Sequence, residues 1–191
     1  MDCEAESLGA EEALARLREG NEAFATARQN TSCIDAELRG RLAVEGQRPY
    51  AAVLACSDSR VVPEDIFMTG LGELFTVRVA GNVAGDEQVA SVAYAASHLG
   101  TRLVVVLGHS CCGAVGAVLS GADDPAVAPV TDLIAAAIGE ERGEREAAIA
   151  NVRAAVERLC AEPELAHLAQ EDGLRIQGAY YHTDSGEVEW L

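Results

Sequence analysis

Two short apolar runs, 50–55 and 103–107, set the terms for this chain. Each is aliphatic or β-branched, is bounded by Gly, Ser or Pro, and reads as a buried strand. Each is followed at once by residues that bind metals. The first leads into Cys56-Ser57-Asp58-Ser59-Arg60, the second into His109-Ser110-Cys111-Cys112-Gly113. In open α/β sheets the binding crevice lies beyond the carboxyl ends of the strands. Two cysteines and one imidazole converging there make a three-ligand zinc site. Structural zinc sites are usually closed by four protein ligands, whereas catalytic ones keep a position open.

Around these runs the pattern predicts alternating helices and strands. Helix is expected over 11–28, with Leu14, Leu17 and Phe24 near one face, and over 35–44, with Asp35 as N-cap. A turn and short helix at 61–67 precede a strand at 74–79, a crossover helix at 87–99 and the second apolar run. A short helix at 113–119, a loop at 121–129 and helices at 131–138, 145–160 and 164–170 follow. A hairpin pairs 175–182 with 187–191 around Asp184-Ser185-Gly186. This order indicates an α/β fold: a mostly parallel sheet with an antiparallel edge strand, flanked by helices. One domain spans 1–191, with 1–48 as a helical arm and 49–191 as the α/β core. Neither arm helix is long or apolar enough to stand alone, so both are expected to pack on another surface, such as a second subunit.

Composition narrows the partners. The formal charge is −17, and all 14 basic residues are arginine. Nucleic acid and anionic membrane are poor partners for such a chain. No apolar run approaches bilayer length. The acidic segment 1–12 lacks the apolar core of a secretory signal, so a cytoplasmic location is expected. Six cysteines in that setting favour metal or catalytic roles over a disulfide framework.

Cys112 follows His109 by three residues, a spacing typical of two ligands from one loop. Cys111 competes with it, but adjacent side chains point apart and the i, i+3 partner is the better choice. Cys3, Cys33 and Cys160 have no ligand-like neighbours and read as ordinary thiols. His98, His167 and His182 read as surface or packing residues. Asp58 and Arg60 stand two apart in an extended segment, so their side chains project to the same side. A bidentate pair would hold Asp58 ionised and oriented. Beside zinc, Asp58 would accept a hydrogen bond from bound hydroxide or swing in as a fourth ligand. Gly70-Leu71-Gly72 lacks the third glycine and following helix of a nucleotide loop.

At these residues the chain resembles the β-class carbonic anhydrases. Residues 56–60 match that family's Cys-x-Asp-x-Arg motif, and 109–113 match its His-x-x-Cys-Gly motif. Gly72-Glu73-Leu74-Phe75 with Arg78-Val79-Ala80-Gly81-Asn82 resembles its second strand. Gly178-Ala179-Tyr180-Tyr181 with Gly186 and Val188 resembles its terminal hairpin. The similarity runs over about 14–191. It implies one zinc ion held by Cys56, His109 and Cys112, with Asp58 and Arg60 as catalytic dyad. Gln47 matches the glutamine that hydrogen-bonds substrate in plant-type members, and the backbone at Gly113 would join it in holding bicarbonate. The implied reaction is reversible hydration of CO2 to bicarbonate and a proton by zinc-bound hydroxide. The implied assembly is a homodimer, or a dimer of dimers, with sites at the subunit interface. An allosteric subgroup carries Trp three residues before the first ligand; Val53 stands there, so no inhibitory bicarbonate site is expected, although Arg78 matches that subgroup's arginine. Two alternatives accompany this reading: a carbonyl sulfide or carbon disulfide hydrolase on the same fold, and a non-catalytic zinc-stabilised interaction protein.

Overall fold

The computed structural model describes residues 8–26, 28–30, 32 and 34–191. Cys3 and Cys33 lie outside them. The chain begins with α1 (Ala10–Ala25) and α2 (Ala36–Glu45). Strand β1 (Ala51–Cys56) is followed by α3 (Pro63–Ile66) and β2 (Leu74–Val79). A 3-10 turn (Ala80–Asn82) leads to α4 (Asp86–His98) and β3 (Leu103–His109). Then come α5 (Gly113–Leu119), α6 (Ala128–Ile138), α7 (Glu144–Cys160) and α8 (Pro163–Glu171). The chain closes with β4 (Arg175–Tyr181) and β5 (Val188–Trp190).

The five strands form one sheet in the order β2-β1-β3-β4-β5. Four run parallel and β5 pairs antiparallel to β4, the mixed sheet that the alternating pattern predicts. Side chains alternate across a strand, so odd and even positions feed two cores. Val53, Ala55, Val105 and Leu107 meet Leu14 and Leu17 of α1 on one face. Leu54, Val104 and Val106 meet Val92 of α4, Val152 of α7 and Leu165 of α8 on the other. After β1 the chain moves outward to β2, and after β3 it moves the opposite way to β4. The crevice at a topological switch point therefore opens between the carboxyl ends of β1 and β3.

Three expectations need correction. Cys56 and His109 are the last residues of their strands, not loop residues beyond them. The apolar run stops at Leu107, but pairing continues: Gly108 and His109 remain in register with Tyr180 and Tyr181. Helix α6 starts at Ala128, inside the expected loop, because Pro129 suits the first turn of a helix. The two arm helices also differ from each other. Ala13, Leu14 and Leu17 of α1 are buried in the chain's own core. Only Leu38 of α2 is buried; Val44 is 88% exposed and nearby Ile34 is 69% exposed. Asp35 caps α2 as predicted, its carboxylate accepting from Leu38 N at 2.8 Å.

Helix α1 sits close because Gly20 lets it. A Cβ there would lie 2.0 Å from the Phe67 carbonyl oxygen. The next residue, buried Asn21, ties the helix to the end of the chain. Its Nδ2 donates to Gly186 O (2.8 Å) and Ile66 O (3.3 Å), and its Oδ1 accepts from Val188 N (2.8 Å).

Candidate metal centre

Cys56, His109 and Cys112 come together in the crevice. All three are buried, and one potential ligand atom from each lies within 4.8 Å of the others. The imidazole is aimed by its own backbone. Nδ1 lies 2.9 Å from Ser110 O, and a carbonyl can only accept, so Nδ1 carries the proton. Nε2 is left as a lone-pair donor. It is one of two buried side-chain polar atoms among the described residues with no partner, the other being Asn82 Nδ2. A buried, unpaired imidazole nitrogen beside two sulfurs is the donor set of a tetrahedral thiolate–imidazole metal site with one position left over.

The sulfurs are prepared for the same task. Cys56 Sγ accepts from Gly81 N (3.2 Å) and Asp58 N (3.4 Å). Its pKa is drawn down below the ordinary thiol value, chiefly by hydrogen bonding with the Cys112 thiol, then by His109 and these two amides, against the opposing effect of burial. The Cys112 thiol is pushed up by the same contact and by burial, so it keeps the shared proton. Gly81 reaches Cys56 only as glycine. Its φ is +69°, and a Cβ would lie 2.6 Å from Ile134 Cδ1. Cys112 is the residue before α5 and is buried in an apolar cluster with Val115 and Ile134. Cys111, the alternative ligand, is exposed and is not in the donor cluster, its backbone left-handed at φ +55°.

Asp58 and Arg60 form the bidentate pair. Arg60 Nε donates to Oδ1 (3.0 Å) and Nη2 to Oδ2 (2.7 Å), while Arg60 N adds a bond to Oδ1 (2.9 Å). The reason is a turn, not an extended segment: Val61 N bonds back to Asp58 O at 2.9 Å. Hydrogen bonds from Arg60 hold the Asp58 carboxyl well below the usual carboxylate range. The carboxylate is thus engaged by Arg60 and is not one of the three clustered donors. Arg60 Nη2 also donates to Cys111 O (3.0 Å), which links the two metal loops. Gly113 opens α5 beside Cys112 and is exposed. Gln47 is not brought to this site. It precedes β1 and lines a cleft with Pro49, Tyr50, His98 and Gly100 at the amino ends of the strands. The five residue steps of β1 alone put about 17 Å between that end and Cys56.

The sequence profile described as carbonic anhydrase matches residues 51–188, which contain both metal loops, the dyad and the hairpin's first strand, β4. The chain belongs to the β-class carbonic anhydrases. Within this family it is 35% identical over 184 residues to the carbonic anhydrase of Mycolicibacterium smegmatis, covering 91% of this chain and 89% of that protein. It is 44% identical over 108 residues to carbonic anhydrase 2 of Mycobacterium tuberculosis, covering 56% of this chain and 52% of that one. That match therefore spans about half the length of the relative. One of two tetrameric β-carbonic anhydrases from Sordaria macrospora superposes with a TM-score of 0.72 at 25% identity, over 95% of each chain.

Three contributors escaped motif reasoning. Gly81 caps a thiolate, the Ser110 carbonyl sets the His109 tautomer, and Arg78 holds backbone at the first loop. Two of these act through main-chain atoms, which side-chain motifs do not register. Val53, the position of the allosteric subgroup's Trp, is buried in the core.

Proposed function

We propose that this chain catalyses the reversible hydration of CO2 to bicarbonate and a proton, with zinc held by Cys56, His109 and Cys112. The observation that carries the reading is the unpaired Nε2 of His109 facing two cysteines, with an ionised, arginine-pinned Asp58 next to them. Thiolate and imidazole donors suit zinc over hard cations. Bound there, zinc would act as a Lewis acid and lower the pKa of a water ligand from 15.7 to about 7. Asp58 accepts a hydrogen bond from the attacking oxygen and orients its lone pair toward the carbon of CO2. Arg60 keeps Asp58 ionised and in place. The overall hydration balances as one water proton released to solvent and the other kept in bicarbonate, with one C–O π pair of CO2 moved onto oxygen.

Donors at Gly113 and Gln47 would hold the developing bicarbonate oxygens. Gln47 is a strand's length from the site of its own chain, so it can serve only the site of a second copy. That supports a homodimer, or a dimer of dimers, as the working form. The exposed apolar residues Ile34 and Val44 around α2 fit such a partner. A cytoplasmic setting, free of disulfides at Cys56 and Cys112, keeps both thiols available to the metal. Among the described residues no helix is long and apolar enough to cross a membrane.

The test is stopped-flow CO2 hydration by the zinc-loaded protein at mildly alkaline pH, beside a Cys56→Ser control and a parallel assay with carbonyl sulfide. Fast hydration abolished in the control is the expected result. Zinc-bound protein that leaves CO2 untouched and hydrolyses carbonyl sulfide would replace this reading with the hydrolase. Zinc-bound protein inert to both would leave a structural metal site.

A further inference from the structure

Strand β1 ends at Cys56, yet the backbone that follows is held as firmly as the strand. Ser57 N bonds to Val79 O (3.1 Å), the last rung between β1 and β2. The carbonyls of Cys56 and Asp58 then leave the sheet. Arg78, near the end of β2, reaches over and takes both: Nε donates to Cys56 O (3.1 Å) and Nη2 to Asp58 O (2.7 Å). Among the described residues Arg78 forms no ion pair, although the chain carries 31 carboxylates. Its guanidinium is devoted to main chain. A planar fork fixes two acceptors in one geometry, which the point charge of lysine cannot do. Asp58 is thereby held at three places: its N–H on Cys56 Sγ, its carbonyl by Arg78 and Val61 N, and its carboxylate by Arg60.

We propose that Arg78 is a positioning residue that holds the 56–58 backbone so that Asp58 meets the attacking oxygen; this rests on the carbonic anhydrase reading. Without the fork the carboxylate remains paired with Arg60, but the pair is free to move as a unit with the loop. Arg78 itself lies on a sheet strand, and its side-chain bonds go to the Cys56 and Asp58 carbonyls and not to a metal donor atom.

The test compares Arg78→Gln and Arg78→Lys in the zinc-loaded full chain. Arg78→Gln is expected to lower kcat by about 10- to 100-fold, the usual cost of losing a supporting contact at a metal site, with KM little changed. Arg78→Lys recovers part of the loss. In an Asp58→Asn background the same Gln substitution should cost under about threefold, because the residue it positions is already gone. Independently of turnover, amide exchange in 57–61 should rise by about tenfold or more while β1 and β3 stay protected. An equal loss with and without Asp58, or unchanged exchange in 57–61, overturns the proposal. If Arg78→Gln does not fold, the Lys variant carries the same comparison. If the wild type fails to hydrate CO2, the functional reading falls, and the exchange measurement alone decides whether Arg78 holds Asp58.

Discussion

In the proposed reaction Asp58 is the side chain on which the chemistry turns, and its surroundings assign it one state. Two arms of Arg60 and a backbone amide meet its two oxygens, so it stays an anion across the physiological range. It can accept a proton's hydrogen bond but cannot donate one. Replacing it by the isosteric amide keeps the shape and removes the charge. Asp58→Asn is expected to retain one zinc per chain by elemental analysis while hydration falls by about 10²- to 10⁴-fold, the range for a misassigned proton acceptor. Turnover near that of the wild type would remove Asp58 from the mechanism. Cys111 offers the contrast. Its thiol is exposed and outside the donor cluster, while its carbonyl accepts from Arg60.

Helix α1 and the hairpin β4–β5 are joined by Asn21, and that joint can be tested alone. Asn21→Ala strands the Val188 amide and two carbonyls in a buried setting, which costs about 2–3 kcal/mol. The midpoint of urea unfolding should fall accordingly with hydration rate unaffected, since Asn21 lies against Ile66, Gly186 and Val188 and not against the metal donors. A second joint, between α7 and β5, depends on pH. Arg145 Nη2 donates to both oxygens of Glu189 at 2.8 and 2.6 Å, which lowers the pKa of Glu189. A depressed carboxyl contributes stability that is full above its unfolded value of about 4.3 and lost as pH falls through the lower folded value. Glu189→Gln should therefore lower Tm slightly at pH 7 and not at pH below both values; an equal Tm deficit at both would assign the loss to packing. These joints also show what was legible in the sequence. Strands leading to Cys56 and His109 could be read because hydrophobic runs and donor spacing are local, although the last rungs, at Cys56, Gly108 and His109, could not. The placement of α1 could not, because three main-chain partners of Asn21 lie 45 to 167 residues away. Gln47 shows the converse: nine residues of sequence separation become the length of a strand once the backbone is extended, which sets it apart from its own chain's donors.

The net charge of −17 spreads over a chain with no lysine to offset it locally. Self-repulsion of this kind weakens the compact state and is screened by salt, the screening length falling from about 10 Å at 0.1 M to about 3 Å at 1 M. Tm is expected to rise with sodium chloride over that interval; a flat or falling Tm would show that the arginine ion pairs outweigh the repulsion. Shared sites make a separate prediction. Gln47→Ala and Asp58→Asn chains should each be impaired alone. Refolded together as a C2 dimer, half the molecules are mixed and one site in each mixed molecule is whole, so about a quarter of the sites recover. No recovery would place Gln47 outside the site. The three metal donors come from positions 56, 109 and 112, and the first meets the others only while β1 lies against β3. A chain with those strands parted keeps at most two donors together, too few to retain an ion. Release of zinc to an excess of chelator is then a clock for the opening of the middle of the sheet. Fraying of α2 or of the terminal hairpin would leave that clock unmoved.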